Sequence, residues 1–213
     1  MEMTYCTPFL LELGLTKSKT SLVWVAGPLS GLIMAPVIGA VADRSKSRFG
    51  RRRPFMLVGS VLVGICLLTL GWSKDIVDYF MGRQDPDALG PILLAVFAIY
   101  ALDFAINAVQ WSCRSLIIDT LPIAKQQTGS AWGGRMVAIG HLVGYALGAI
   151  DLELLFGDWI GNTQFKRLCV IGAFALTFAV GVTSWAVKEA VLVAEGYASW
   201  LVVWPNLSIT LTW

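Results

Sequence analysis

Long apolar runs separated by short polar segments set the plan of this chain. Residues 21–42, 54–72, 91–121, 131–150 and 167–187 each have the length and apolar content of a bilayer-spanning helix, for which about 20 residues suffice. Residues 1–15 are apolar but shorter, and read as a first helix cut at its start. Lys17 and Lys19 mark a turn after it. The 73–90 segment, with four Asp against Lys74 and Arg83, reads as a polar loop, and so does 151–166. A short turn is expected over 122–130. The runs therefore predict an all-α integral membrane bundle of six helices over residues 1–189, followed by a divergent apolar tail over 190–213.

Composition agrees with the pattern. Only 14% of the 213 residues are charged, against about 25% in a soluble domain. The four cysteines are widely spaced in or beside apolar runs; they suit buried packing and carry no metal-ligand or disulfide spacing. No metal, cofactor or catalytic residue is read from the sequence. Enzyme chemistry is set aside because Gly-x-Ser-x-Gly, His-Glu-x-x-His and Walker patterns are all missing from these 213 residues.

The fourth run holds the best candidate site. Asp103, Asn107, Gln110 and Arg114 are offset so that, at about 100° per residue, they share one helical stripe. An ionised group at mid-bilayer costs on the order of 3 kcal/mol even on lenient insertion scales, so it persists where it faces a cavity or a partner. A structural polar seam is the other reading of the stripe. Carboxylate and carbonyl oxygens accept from hydroxyls, while amide and guanidinium groups donate. Low dielectric also favours the protonated carboxyl, so one Asp can answer to both a proton and a polyol. Glu2 and Tyr5 share a face of the first run and add a second carboxyl. His141, the sole histidine, is a further relay candidate; Asp119, near the end of the fourth run, is a relay candidate too, and reads also as a gate or packing residue and an ion-pair partner for the basic loop.

Between the second and third runs lies a basic loop holding Arg44, Lys46, Arg48, Arg51, Arg52 and Arg53, six of the sixteen Lys and Arg. Such loops stay on the cytoplasmic side, which orients every other run. The close apolar flanks argue against a nucleic-acid surface and for lipid headgroups.

Gly39-x-x-x-Asp43-Arg44, followed by Gly50-Arg51-Arg52, resembles the loop between helices 2 and 3 of the major facilitator superfamily. The form Ser-Arg-Phe-Gly-Arg-Arg-Arg-Pro is similar to that of plant sucrose transporters and their fungal and animal relatives. Asp103 and Arg114 are similar in place to the Asp and Arg of those symporters' fourth helix, although Ile106 and Trp111-Ser112 depart from the pattern. Glu2-x-x-Tyr5-x-Thr7-Pro8 and Gly144-Tyr145-x-x-Gly148-Ala-Ile-Asp151 look like the animal and fungal branch.

The resemblance implies the N-terminal six-helix half of a twelve-helix sugar–proton symporter, with the first helix shortened. Its substrate would be sucrose, maltose or a related disaccharide or monosaccharide, and a C-terminal six-helix half would complete it. Asp103, Asn107, Gln110, Arg114, Glu2 and Tyr5 would serve sugar and proton. Gly39, Asp43, Arg44, Gly50, Arg51 and Arg52 would form a gating loop. The plasma membrane is favoured over an internal one. The alternative is a non-transporting membrane fragment, or a half that needs a partner subunit. Gly140, Gly144 and Gly148, spaced by four, also predict a close helix approach.

Overall fold

A computed structural model describes residues 2–44, 50, 52–81, 89–150 and 163–187. Their regular structure is helical: α1 (Glu2–Glu12), α2 (Lys17–Val23), α3 (Ala26–Arg44), α4 (Arg53–Gly71), α5 (Ser73–Met81), α6 (Leu89–Thr120), α7 (Ile123–Ala149) and α8 (Gln164–Ala186). The 190–213 tail and the 151–162 segment lie outside the described residues. Four stretches, Lys17–Ala42, Arg53–Gly71, Gly90–Thr120 and Gln164–Ala186, are long and apolar enough to cross a membrane. Many of their side chains point outward without polar cover, Leu32 at 75% and Phe97 at 71% exposure among them. Water penalises such a surface; hydrocarbon does not.

Several boundaries differ from the sequence reading. The turn after α1 falls at 13–16, and Lys17 and Lys19 belong to α2. Gly14, at φ 96, closes α1: its N–H donates to Leu11 O and the Leu15 N–H to Leu10 O. That pair of bonds is a Schellman end, and Leu10 and Leu15 pack together beneath it. The second run is interrupted at Trp24–Val25. Pro28 explains the break, because it has no N–H to give the Trp24 carbonyl.

Ser73–Met81 is helical where a loop was expected. Its charges sit on an amphipathic turn, with Asp75 in the first turn where the helix dipole favours an acid. The expected 122–130 turn shrinks to Leu121–Pro122, since Pro122 ends α6 and Ile123 starts α7 at once. The helix of the fifth run, α7, is long, at 27 residues, but Lys125, Gln126, Arg135 and His141 leave it outside the four apolar spans.

The core runs as three stacked clusters along α6. At the end far from the basic loop, Leu10 of α1, Leu13 just after it and Leu70 of α4 pack with Ala95 and Ile99. In the middle, Val63 packs on Leu102 and Ala105. At the basic-loop end, Met56 meets Val109 and Leu116, with Val180 of α8. Thus α4 is held between α6 and α8. Gly59 permits α4 to approach α6 closely, as a Cβ there would fall 2.7 Å from Val109 Cγ2. By contrast α7 meets α6 near Ile117 and Leu121, which Gly129 and Gly133 face. A Cβ on Gly140 would find nothing within 4 Å, so no close approach is made at that position among the described residues, whereas Gly144 is buried.

The α1 turn can be tested directly. Gly14→Ala forces a side chain into the left-handed region and is expected to cost about 1–2 kcal/mol. The full-length protein in detergent should show a lower thermal-unfolding midpoint, and an unchanged midpoint contradicts this turn.

Candidate functional site

Asp103 and Asn107 stand in the middle of α6, one turn apart. Asp103 is buried at 7% exposure, one turn beyond the packed Ile99. Asn107 is half-buried and donates through Nδ2 to the Asp103 main-chain oxygen at 2.9 Å. The same Nδ2 donates to Ser30 Oγ of α3 at 2.8 Å. Ser30 is fully buried and donates in turn to Gly27 O at 2.9 Å. The sequence reading missed Ser30. Its one cue was a polar and small pair, Ser30-Gly31, inside an apolar run.

Farther along the stripe, Gln110 and Arg114 are exposed. The Arg114 guanidinium lies over the Trp111 ring, 5.1 Å from its centroid. The stripe is therefore one continuous feature of α6, buried at Asp103 and open at Gln110 and Arg114. Backbone placement puts Glu2 and Tyr5 one turn apart on α1, while their side chains lie outside the described residues. His141 is exposed on α7, about 12 Å along the helix axis from Gly133, which faces Ile117.

A groove of about 330 Å³ lies between α3 and α4, floored by α6. Met34, Ile38, Phe55, Val58, Leu62 and Phe104 line it. Such walls offer no partners to hydroxyls, so this groove does not suit a sugar.

The gating-loop residues divide. α3 ends on Asp43 and Arg44, whose side chains, like Arg51, lie outside the described residues. A Cβ on Gly39 would meet open space. Gly50 has φ 107, a conformation that favours glycine. Arg52 is buried, and its Nε donates to Asp119 Oδ2 at 3.0 Å, joining the start of α4 to the end of α6. Asp119 thus sits in a salt bridge about 24 Å along α6 from Asp103.

Comparison with known proteins decides the family. A model described as MFS/sugar transport protein matches residues 3–200. The chain belongs to this family. Within the family, a general alpha-glucoside permease of Schizosaccharomyces pombe is 40% identical over 189 residues, covering 89% of this chain and 34% of that one. A sucrose transport protein of Arabidopsis thaliana is 34% identical over 153 residues, covering 71% and 30%. One from Oryza sativa subsp. indica is 35% identical over 156 residues, covering 70% and 31%. The chain spans about a third of the length of these relatives. With four membrane-length helices, this member of the MFS/sugar transport family is an integral membrane protein.

The Arg52–Asp119 pair yields a quantitative expectation. In a double-mutant cycle of Arg52→Gln and Asp119→Asn, the two losses of thermal stability should fail to add. The coupling should be roughly 0.5–3 kcal/mol. Strict additivity contradicts a direct interaction.

Proposed function

We propose that this chain forms the sugar-binding bundle of a sugar–proton symporter for sucrose, maltose or a related α-glucoside. One observation carries the reading: Asp103 is a carboxylate buried in the middle of a bilayer-length helix, beside Asn107. The names of the relatives, a general alpha-glucoside permease and sucrose transport proteins, support the solute class. A carboxylate at that depth is costly unless it is protonated or partnered. Asp103 takes the proton and hydrogen-bonds the sugar, and reorientation of the carrier requires both. Gln110 and Arg114 supply donors that complement the Asp103 acceptor. Glu2 and Tyr5 would close the site from α1. His141, exposed on α7, is a further relay candidate in this scheme.

The Arg52–Asp119 bridge serves as a clamp at the basic-loop end. With Gly39, Asp43, Arg44, Gly50 and Arg51 it favours one of the two carrier states. Such a clamp breaks and re-forms each cycle, so it is worth a few kcal/mol at most. The loop faces the cytoplasm, the membrane is the plasma membrane, and a second six-helix half, with surrounding lipid, completes the cavity.

The test is Asp103→Asn in the full-length protein, reconstituted in vesicles. Accumulation of α-glucoside driven by a pH gradient should be abolished, while sugar-for-sugar exchange continues. Undiminished accumulation overturns the role of Asp103. Lack of uptake by the unaltered protein favours a non-transporting membrane protein.

A further inference from the structure

Asn107 has both of its amide hydrogens engaged, one to Ser30 Oγ at 2.8 Å and one to Asp103 O at 2.9 Å. A main-chain carbonyl can only accept. Turning the amide end for end would set two acceptors against each other, so its orientation is fixed by chemistry. The single hydrogen of Ser30 is engaged as well, donated to Gly27 O at 2.9 Å. The chain of donors therefore runs one way, from Asn107 to Ser30 to Gly27. Each bond polarises the next.

What remains of the side chain is Oδ1, an acceptor. It makes no hydrogen bond among the described residues and is not one of the fully enclosed polar atoms. It lies beside α3 where residue 31 is glycine, and a Cβ there would stand 3.4 Å from it. One turn away is the Asp103 carboxylate, which also accepts. Side chains at this spacing are about 5–6 Å apart at Cβ.

We propose that Ser30 is a positioning residue that dedicates Asn107 Oδ1 to accepting a hydroxyl of the transported sugar. The proposal rests on the sugar reading above. Asn107 Oδ1 then selects for a solute that presents a hydroxyl donor at this point of α6. Asn107 gives nothing to acceptor groups such as carboxylates. Ser30 also ties the site to α3, the helix that leads into the basic loop.

The experiment measures α-glucoside uptake by the full-length protein, normalised to the amount in the membrane. Ser30→Ala is expected to raise KM about tenfold, the worth of roughly one hydrogen bond, with little change in maximal rate. In an Asn107→Ala background the same substitution should add less than about twofold, because both act through one oxygen. Gly31→Ala keeps Ser30 intact and sets a methyl in van der Waals contact with Oδ1, covering part of the face a hydroxyl would approach, so it should also raise KM. Multiplying effects of Ser30→Ala and Asn107→Ala, or an unchanged KM in both Ser30→Ala and Gly31→Ala, overturn the proposal while leaving sugar transport standing. No uptake by the unaltered protein overturns both.

Discussion

Hydrocarbon offers no hydrogen bonds, so every polar group in the spanning helices must find a partner within the protein. The backbone meets this demand by being helical. Several hydroxyl side chains meet it locally, although Ser112 and Ser184 make no hydrogen bond among the described residues. Ser60 donates to Leu57 O, Thr69 to Ile65 O, Thr177 to Ala173 O and Thr183 to Ala179 O, each at 2.8–2.9 Å. Ser30 follows the same habit but also accepts from Asn107 on another helix. It is the described hydroxyl in the spans that both closes its own turn and joins a neighbouring helix. A local necessity of the membrane has thus become a link between α3 and α6.

Charge is pushed to the ends by the same constraint. At one end of α4, Arg52 pairs with Asp119 of α6. Just beyond the other end, Lys166 of α8 pairs with Asp75 of α5 and lies 5.6 Å from the Trp72 ring centroid. Between these pairs α4 presents Met56, Val63 and Leu70 to its neighbours. Dispersion and close approach hold the middle, and ionic contacts hold the rims. Asp103 is the exception, a carboxylate in the packed middle, and that exception points to function.

The sequence showed what depends on local pattern and hid what depends on partners. Uniform apolar runs located α4, α6 and α8 to within a few residues. The break before α3 required asking which carbonyl Pro28 leaves unpaired. α5 and the start of α7 are polar enough to resemble loops in a linear reading, although both are helical. Within the site, helical period alone aligned Asp103 with Asn107. Ser30 was invisible, because a lone hydroxyl in an apolar run says nothing about which helix it will meet. Arg52 and Asp119 are 67 residues apart in sequence, and their direct bond is set by how α4 lies on α6.

α6 runs unbroken for 32 residues, about 48 Å, well beyond the roughly 30 Å of hydrocarbon. It carries Asp103 near its centre and Asp119 near its tip. A stiff rod needs no relay of side chains to couple two such points. A tilt of a few degrees about the centre moves the tip by an ångström or two, enough to break a salt bridge whose atoms must stay within hydrogen-bonding reach. The length of α6 therefore acts as leverage, turning a small tilt near Asp103 into a shift of ångströms at Asp119.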